Sequence, residues 1–391
     1  MSPATSYPTL SPEQYRSSPD EVTSMRITVW LVLWLVFSTC AQGAEDDYPK
    51  YFNARGLPEP KIQYLGVGGW LIHWRGEGVM LAPSFSNPSG LSKGLPPVRV
   101  VADKARIDHY MQRLATQDVT LLLVGHGHYD HLLDVPWIMR KYAPKAIVYG
   151  SDTVVHMLHA MKDPTRVEDA HWTWVDPNRV KSARGYMATV PGCDGRQAPA
   201  WPGYWITSQG GHIRAMPIQS MHAPHVLNYT VGHGHYYQDL SEVPTTLSGW
   251  KQGQSMAWLI DLLDEAGEPE YRIHFQDSAA PAPCGILPIW PDDQTVDVEL
   301  LSVGSWRKAA GYPDRLLQAY TPRVVVLGHW ENFFGYDLDH APPLNTKAVI
   351  EMQRHVIELA AKQTPAAQVY LPRPFAQIAL PPVKKQAQAD Q

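Results

Sequence analysis

The sequence predicts an α/β fold with sheets inside and helices outside, on three observations. Short apolar runs of strand length alternate with segments whose apolar residues fall at helical spacing. Apolar residues make up 44% of the 391-residue chain and charged residues only 18%, enough to bury a large core and too apolar for a disordered chain. After residue 48 no second long hydrophobic stretch occurs, and no low-complexity linker breaks the chain before Pro381. The net charge of −5 lacks the basic surplus of a nucleic-acid binder, and no nucleic-acid partner is expected.

Taken in order, residues 1–24 are polar, rich in Pro and Ser, and unpatterned. Met25 and Arg26 then precede an apolar run over 27–37, followed by small residues to Ala44. That is the pattern of a signal peptide starting at Met25 and cleaved after Gly43 or Ala44, which predicts a periplasmic or secreted protein. An uncleaved or Cys40-lipidated membrane anchor is the alternative. Once the signal leaves, Cys193 and Cys284 remain as an even pair, either bridged or buried as free thiols. Residues 45–382 are expected to form one domain, and 383–391 a frayed tail.

Within that domain, 61–73 and 79–82 read as strands around a Gly-rich turn, and 119–124 as a buried strand. Helices are expected over 104–116 with Asp103 as N-cap, over 133–142 with Pro136 in the first turn, and over 153–161. Further strands are expected at 146–149, 256–262, 271–275, 298–302 and 323–327, with a late helix over 348–362. The segment 191–250, rich in Gly, Pro, Trp, His and Tyr, reads as elaborated loops near a site.

The chemistry begins where the buried strand runs into Gly125-His126-Gly127-His128-Tyr129-Asp130-His131. In extended backbone, residues two and four apart point the same way, so His126, His128 and Asp130 converge. His131 joins them as the chain turns into the next helix. Three imidazoles and a carboxylate so close would crowd and charge one another unless a divalent metal accepts their lone pairs. Zinc suits that donor set, with iron or manganese as alternatives.

This run resembles the signature of the metallo-β-lactamase superfamily. The resemblance implies a four-layer αββα sandwich, with two central mixed sheets and helices on the outer faces, and a site for two metal ions. Its remaining ligands would each end a later strand: His222 after the apolar stretch 213–218, Asp277 after 271–275, and His329 after 324–327. Carried over, His126, His128 and His222 hold the first metal, Asp130, His131 and His329 the second, and Asp277 bridges both. His225 and His212 compete with His222 for its place. The implied reaction is hydrolysis of an ester, lactone or phosphodiester by a metal-bridging hydroxide that Asp130 orients.

Residues 83–88 resemble the branch that holds sugar-phosphate lactonases and N-acylphosphatidylethanolamine phospholipase D. The superfamily usually carries an acid after an early strand to support a ligand histidine, but here that place is Ala82. The supporting hydrogen bond is expected to come from Ser84 or Asn87, or to be absent. The rival reading, a non-catalytic metal-containing binding module of the same fold, rests on Ala82 alone.

A second Val-Gly-His-Gly-His-Tyr spans 231–236, with no Asp-His after it. His233 and His235 either line the pocket, donating a proton or binding substrate anions, or belong to a solvated loop. Tyr236, Tyr237, Trp250 and Trp330 form an aromatic wall or simply pack. The aromatic insertion favours a small-molecule substrate that is partly apolar or aromatic.

Overall fold

Two seven-stranded sheets carry the fold, each antiparallel along one half and parallel along the other. The computed structural model describes residues 48–383 except 87, 89–98, 170, 196 and 226–228; the expected signal segment and the tail from 384 lie outside them. The first sheet takes β1 (Lys61–Gly66), β2 (Gly69–Trp74), β3 (Glu77–Leu81), β4 (Val119–Leu123), β5 (Ile147–Gly150) and β6 (Val180–Ser182). The second takes β7 (Ile206–Thr207), β8 (Ile213–Gln219), β9 (Met256–Leu263), β10 (Pro269–Phe275), β11 (Val298–Ser302), β12 (Val324–Gly328) and β13 (Gln368–Tyr370). The last strand, β14 (Gln377–Ala379), returns to the edge of the first sheet beside β1.

Strands β1 to β3 pair antiparallel and β3 to β6 parallel. In the second sheet β7 to β10 pair antiparallel and β10 to β13 parallel. As a result β8, β10, β11 and β12 all run the same way, and their carboxyl ends reach one edge.

Alternation along each strand sorts the side chains. Leu121 and Leu123 face inward and share one buried cluster with Ile260, Ile273 and Val326 of the other sheet. Leu122 faces outward, into a second cluster with Ile107, Ile138 and Val154. Those three come from α1 (Lys104–Met111), α3 (Val135–Lys141) and α4 (Asp152–Leu158); the short α2 (Tyr129–Leu132) lies between the first two. The outer face of the second sheet is covered by α5 (Asp314–Tyr320) and α6 (Thr346–Ala361), through residues such as Leu317, Val349 and Met352. Helices, two sheets and helices give the four layers that the resemblance implied.

The elements follow the sequence reading with instructive differences. Asp103 caps α1, its side chain accepting from the Arg106 amide, but the helix stops at Met111 rather than at 116. Pro136 sits in the first turn of α3. The loop-rich segment contains two strands of the second sheet, β7 and β8. Among the described residues no helix is long and apolar enough to cross a membrane.

Cys193 and Cys284 form a disulfide across 91 positions, tying the 191–250 segment to the chain beyond β10. A loop of that length restricts the unfolded chain by about 4 kcal/mol in the loop-entropy account. Reduction, or Cys193→Ser, is expected to lower the unfolding free energy by about that amount in urea titrations. A change below about 1 kcal/mol would mean that the bridge contributes little.

Candidate metal centre

β4 delivers the first four candidate ligands. Beyond Leu123 the backbone leaves the strand, and His128 caps α2 in extended conformation. Asp130 therefore sits within a helical turn and not two residues along an extended one, so its convergence with His126 and His128 comes from the turn. His222 follows β8, Asp277 follows β10 and His329 follows β12. The same-edge carboxyl ends bring all of them together.

Three overlapping groups result, each with its ligand-type atoms within 4.8 Å of one another: His126, His128 and His222; His126, His131 and Asp277; and Asp130, His131 and His329. The rings of His126, His128 and His222 form a triangle with centroids 4.6–4.7 Å apart. On the other side, the Nε2 atoms of His131 and His329 face each other at 3.3 Å, and Asp130 Oδ2 lies 3.6 and 3.5 Å from them. Asp277 stands between the two halves, with Oδ2 2.6 Å from His126 Nδ1 and Oδ1 2.9 Å from His131 Nδ1. The second contact is short but lacks hydrogen-bond alignment, since neither atom has a hydrogen-bond partner.

This arrangement fits divalent metal binding. His126 Nε2 and His128 Nε2 are buried without a hydrogen-bond partner. A buried orphan nitrogen costs free energy unless something accepts its lone pair or proton. His222 donates from Nδ1 to the Ala223 carbonyl at 2.6 Å, which orients its ring and leaves Nε2 for the centre.

The electrostatics divide the same way. Burial pushes His126 down, helped by the charge of His131, and holds His128 and His222 well below the ordinary imidazole range. These three offer neutral nitrogens. Burial also opposes charge on His131, but Asp277 and then Asp130 outweigh it and raise that imidazole to about 9. Burial would raise the Asp130 and Asp277 carboxyls; the neighbouring imidazoles prevail, His131 first, and hold both carboxyls low.

The glycines of the motif are spacers. A Cβ on Gly125 would lie 2.3 Å from Asp277 Oδ2 and 2.4 Å from Asp277 Cβ. One on Gly127 would lie 2.4 Å from the Lys251 carbonyl. Gly125→Ala is expected to displace Asp277, lower bound metal, and cost about 1–3 kcal/mol of stability. Metal analysis beside thermal melts checks it, and unchanged metal content would contradict the close approach.

The place where the superfamily carries its acid is Ala82. Ala82 is buried with φ +36°, and Asn87 lies outside the described residues. An acid does reach this loop: Asp134, fully buried just before α3, whose Oδ2 accepts from the amides of Phe85 and Ser86 at 2.5 and 2.8 Å. Burial raises its carboxyl to about 6. The loop after β3 is thus pinned by an acid reaching toward it, four residues beyond Asp130.

A cavity of about 340 Å³ opens over the cluster, lined on its polar side by His128, Asp130, His222, His225 and His329. His225 does not displace His222 but joins it, their ring centroids 4.7 Å apart. His212 is elsewhere, its amide donating to Glu77. His233 and His235 are exposed and absent from the cavity lining, because the turn that carries them faces solvent. Tyr236, Tyr237, Trp250 and Trp330 are absent from that lining too: both tryptophans are buried in packing and Tyr237 is exposed. The aromatic wall is Phe333 and Phe334, which the sequence reading missed. A larger groove of about 780 Å³ lies by Val324, at the opposite end of β12, and holds none of the seven candidate ligands.

No family model matches the sequence, and no curated protein matches it. Among solved structures, the metallo hydrolase Igni18 from Ignicoccus hospitalis shares 13% identity at a TM-score of 0.41, over 81% of this chain and 97% of that one. The metallo-β-lactamase fold protein YhfI from Bacillus subtilis shares 9% at 0.40, over 81% and 98%. Human tRNase Z, short form, shares 11% at 0.40, over 86% and 98%. Those are proteins the chain is similar to; its own two sheets, with helices on their outer faces, form an αββα sandwich whose strand ends bring the histidines and aspartates together.

Proposed function

We propose that the protein is an exported hydrolase that holds two divalent metal ions, zinc ahead of iron or manganese, and cleaves an ester, lactone or phosphodiester of a small molecule. One observation carries this reading: seven histidine and aspartate side chains from four strand ends meet around buried nitrogens that have no partner. Bound there, the cations would supply an acidified water and polarise the scissile group.

The chain's own residues do the rest. Asp277 joins the two halves and keeps His126 and His131 in register. Asp130 lines the cavity as an ionised carboxylate, placed to accept a hydrogen bond from an attacking water and aim it. His225, pushed down by burial and so neutral, offers a hydrogen-bonding edge at the cavity, a role that exposed His233 and His235 do not fill. The signal-like N-terminus and the Cys193–Cys284 bridge support export to an oxidising compartment.

Metal analysis of the purified protein, with a panel of chromogenic esters and phosphodiesters, tests the reading. His126→Ala is expected to lose most bound metal and nearly all turnover. Normal metal content and turnover in that variant would end the assignment; full metal with no turnover in the wild-type protein would favour the binding module.

A further inference from the structure

The cavity over the centre has a mixed lining. Beside the histidines, Tyr129 and Asp130 it takes an apolar face of Val231, Leu247, Phe333, Phe334 and Leu344, with the Val231 amide donating to His225 Nδ1 at 3.0 Å. Phe333 lies against both Phe334 and His329, with ring centroids 4.4 and 5.4 Å away, so this face begins at the ligands themselves. It runs outward to Val231 and Leu344, whose side chains are 37% and 48% exposed at the mouth. Exposed apolar side chains continuous with a cavity mark a surface meant to be covered.

A third side is a ledge of hydroxyls: Ser278 after β10, Ser302 at the end of β11, and Ser305 just beyond. Ser278 makes only a long 3.4 Å bond to the Ala279 carbonyl. The hydroxyls of Ser302 and Ser305 have no hydrogen-bond partner among the described residues. Ser305 is also held at φ +57°, a left-handed conformation that costs free energy for a non-glycine residue. Among the described residues lining the cavity, none is Lys or Arg. Beyond the metal ions the site would hold, this lining offers no further cation to an anionic substrate, and a neutral ester needs none.

Resting on the hydrolase reading, we propose that the substrate is an uncharged carboxylic ester or lactone with one apolar arm, seated on Phe333 and Phe334, and a polar group on the serine ledge. The reaction balances as hydrolysis. Water's oxygen bonds to the acyl carbon, and the acyl–oxygen bond breaks with its electron pair going to the leaving oxygen. That oxygen takes the water's proton, giving a carboxylic acid and an alcohol, or one hydroxy acid from a lactone.

The test is a p-nitrophenyl ester series from acetyl through butyryl and hexanoyl to octanoyl, run on the metal-loaded full chain beside bis(p-nitrophenyl) phosphate. We expect kcat/KM to rise about threefold to fourfold per methylene, and the phosphodiester to be the poorest substrate. In Phe334→Ala the octanoyl-to-acetyl ratio should fall about tenfold. Should that variant not fold, Leu344→Asp, at an exposed side chain, must lower the same ratio. A flat series, or preference for the phosphodiester, overturns the inference and leaves the hydrolase reading standing. If nothing is turned over, calorimetric titration with octanamide and acetamide decides: tighter octanamide binding, weakened by Leu344→Asp, upholds the apolar seat, and equal binding sinks it.

Discussion

Asp277→Asn is expected to lower hydrolysis about a thousandfold or more and to cost the protein metal in both halves of the centre. The amide keeps the volume and one oxygen, and replaces the charge and the second acceptor with an N–H donor. That charge sits fully buried between His126 Nδ1 at 2.6 Å and His131 Nδ1 at 2.9 Å. Asp277 belongs to the group that links the His126 half to the His131 half, so its loss uncouples them. A variant that retains all its metal and works within tenfold of wild type would show that Asp277 is no ligand.

The metal-stripped protein gives a second readout of the same substitution, through pH. His131 is raised to about 9, chiefly by Asp277 against burial. A raised imidazole contributes stability that is complete below about 6.5 and lost as pH climbs through 9. Asp277 is depressed, so its contribution is present above about 3.9 and lost only as pH falls further. The pair therefore contributes most between about pH 4 and pH 6.5. Urea unfolding of the stripped Asp277→Asn protein should fall short of wild type by about 3–5 kcal/mol near pH 6. The gap should close toward about pH 10, where His131 is neutral in both proteins. A gap independent of pH would place the loss in packing instead of charge.

What the sequence made legible follows from where this chemistry sits. Metal ligands occupy strand ends, and strand ends announce themselves as apolar runs stopping at a polar residue. His126, His128, Asp130 and His131 needed only adjacency, and His222, Asp277 and His329 needed only the order of strands. Contacts made through space left no such trace. Asp134 holds the loop at Phe85 and Ser86 from some fifty positions away, a contact that no spacing in the sequence marks. Phe333 and Phe334 carry no periodicity that marks a cavity wall, whereas the repeated Gly-His-Gly-His at 232–235 copied the motif and leaves both its histidines exposed. Strands β6, β13 and β14 are three residues each, too short for alternation to register. β7, two residues long inside the Gly- and Pro-rich segment, left even less.

Glu331→Ala should weaken the His131–His329 half of the centre more than the His126–His128–His222 half. Glu331 touches no candidate ligand by side chain, yet it holds the turn that carries one. Tyr64, fully buried on β1, donates its hydroxyl to Glu331 Oε2 at 2.7 Å and accepts the His329 amide at 2.7 Å. The Trp330 amide donates to the same carboxylate oxygen at 3.1 Å. His329 needs that hold, because its backbone sits at φ +56°, where a residue with a side chain is strained. With alanine at 331, the Tyr64 hydroxyl and the Trp330 amide lose a buried acceptor, at about 1–3 kcal/mol each, and the turn can relax. Calorimetric zinc titration should then find one strong site retained and the other weakened at least about tenfold. Burial raises the Glu331 carboxyl to about 7, so the folded state binds its proton more tightly than the unfolded chain does. Its contribution is complete below about 4.3 and lost as pH rises through 7. Glu331→Gln removes that titration while keeping an acceptor for Tyr64, so its stability should vary less with pH across this window than that of wild type. Equal loss of both zinc sites in Glu331→Ala, or a Gln variant with the wild-type slope, would reduce the Tyr64–Glu331 pair to ordinary core packing.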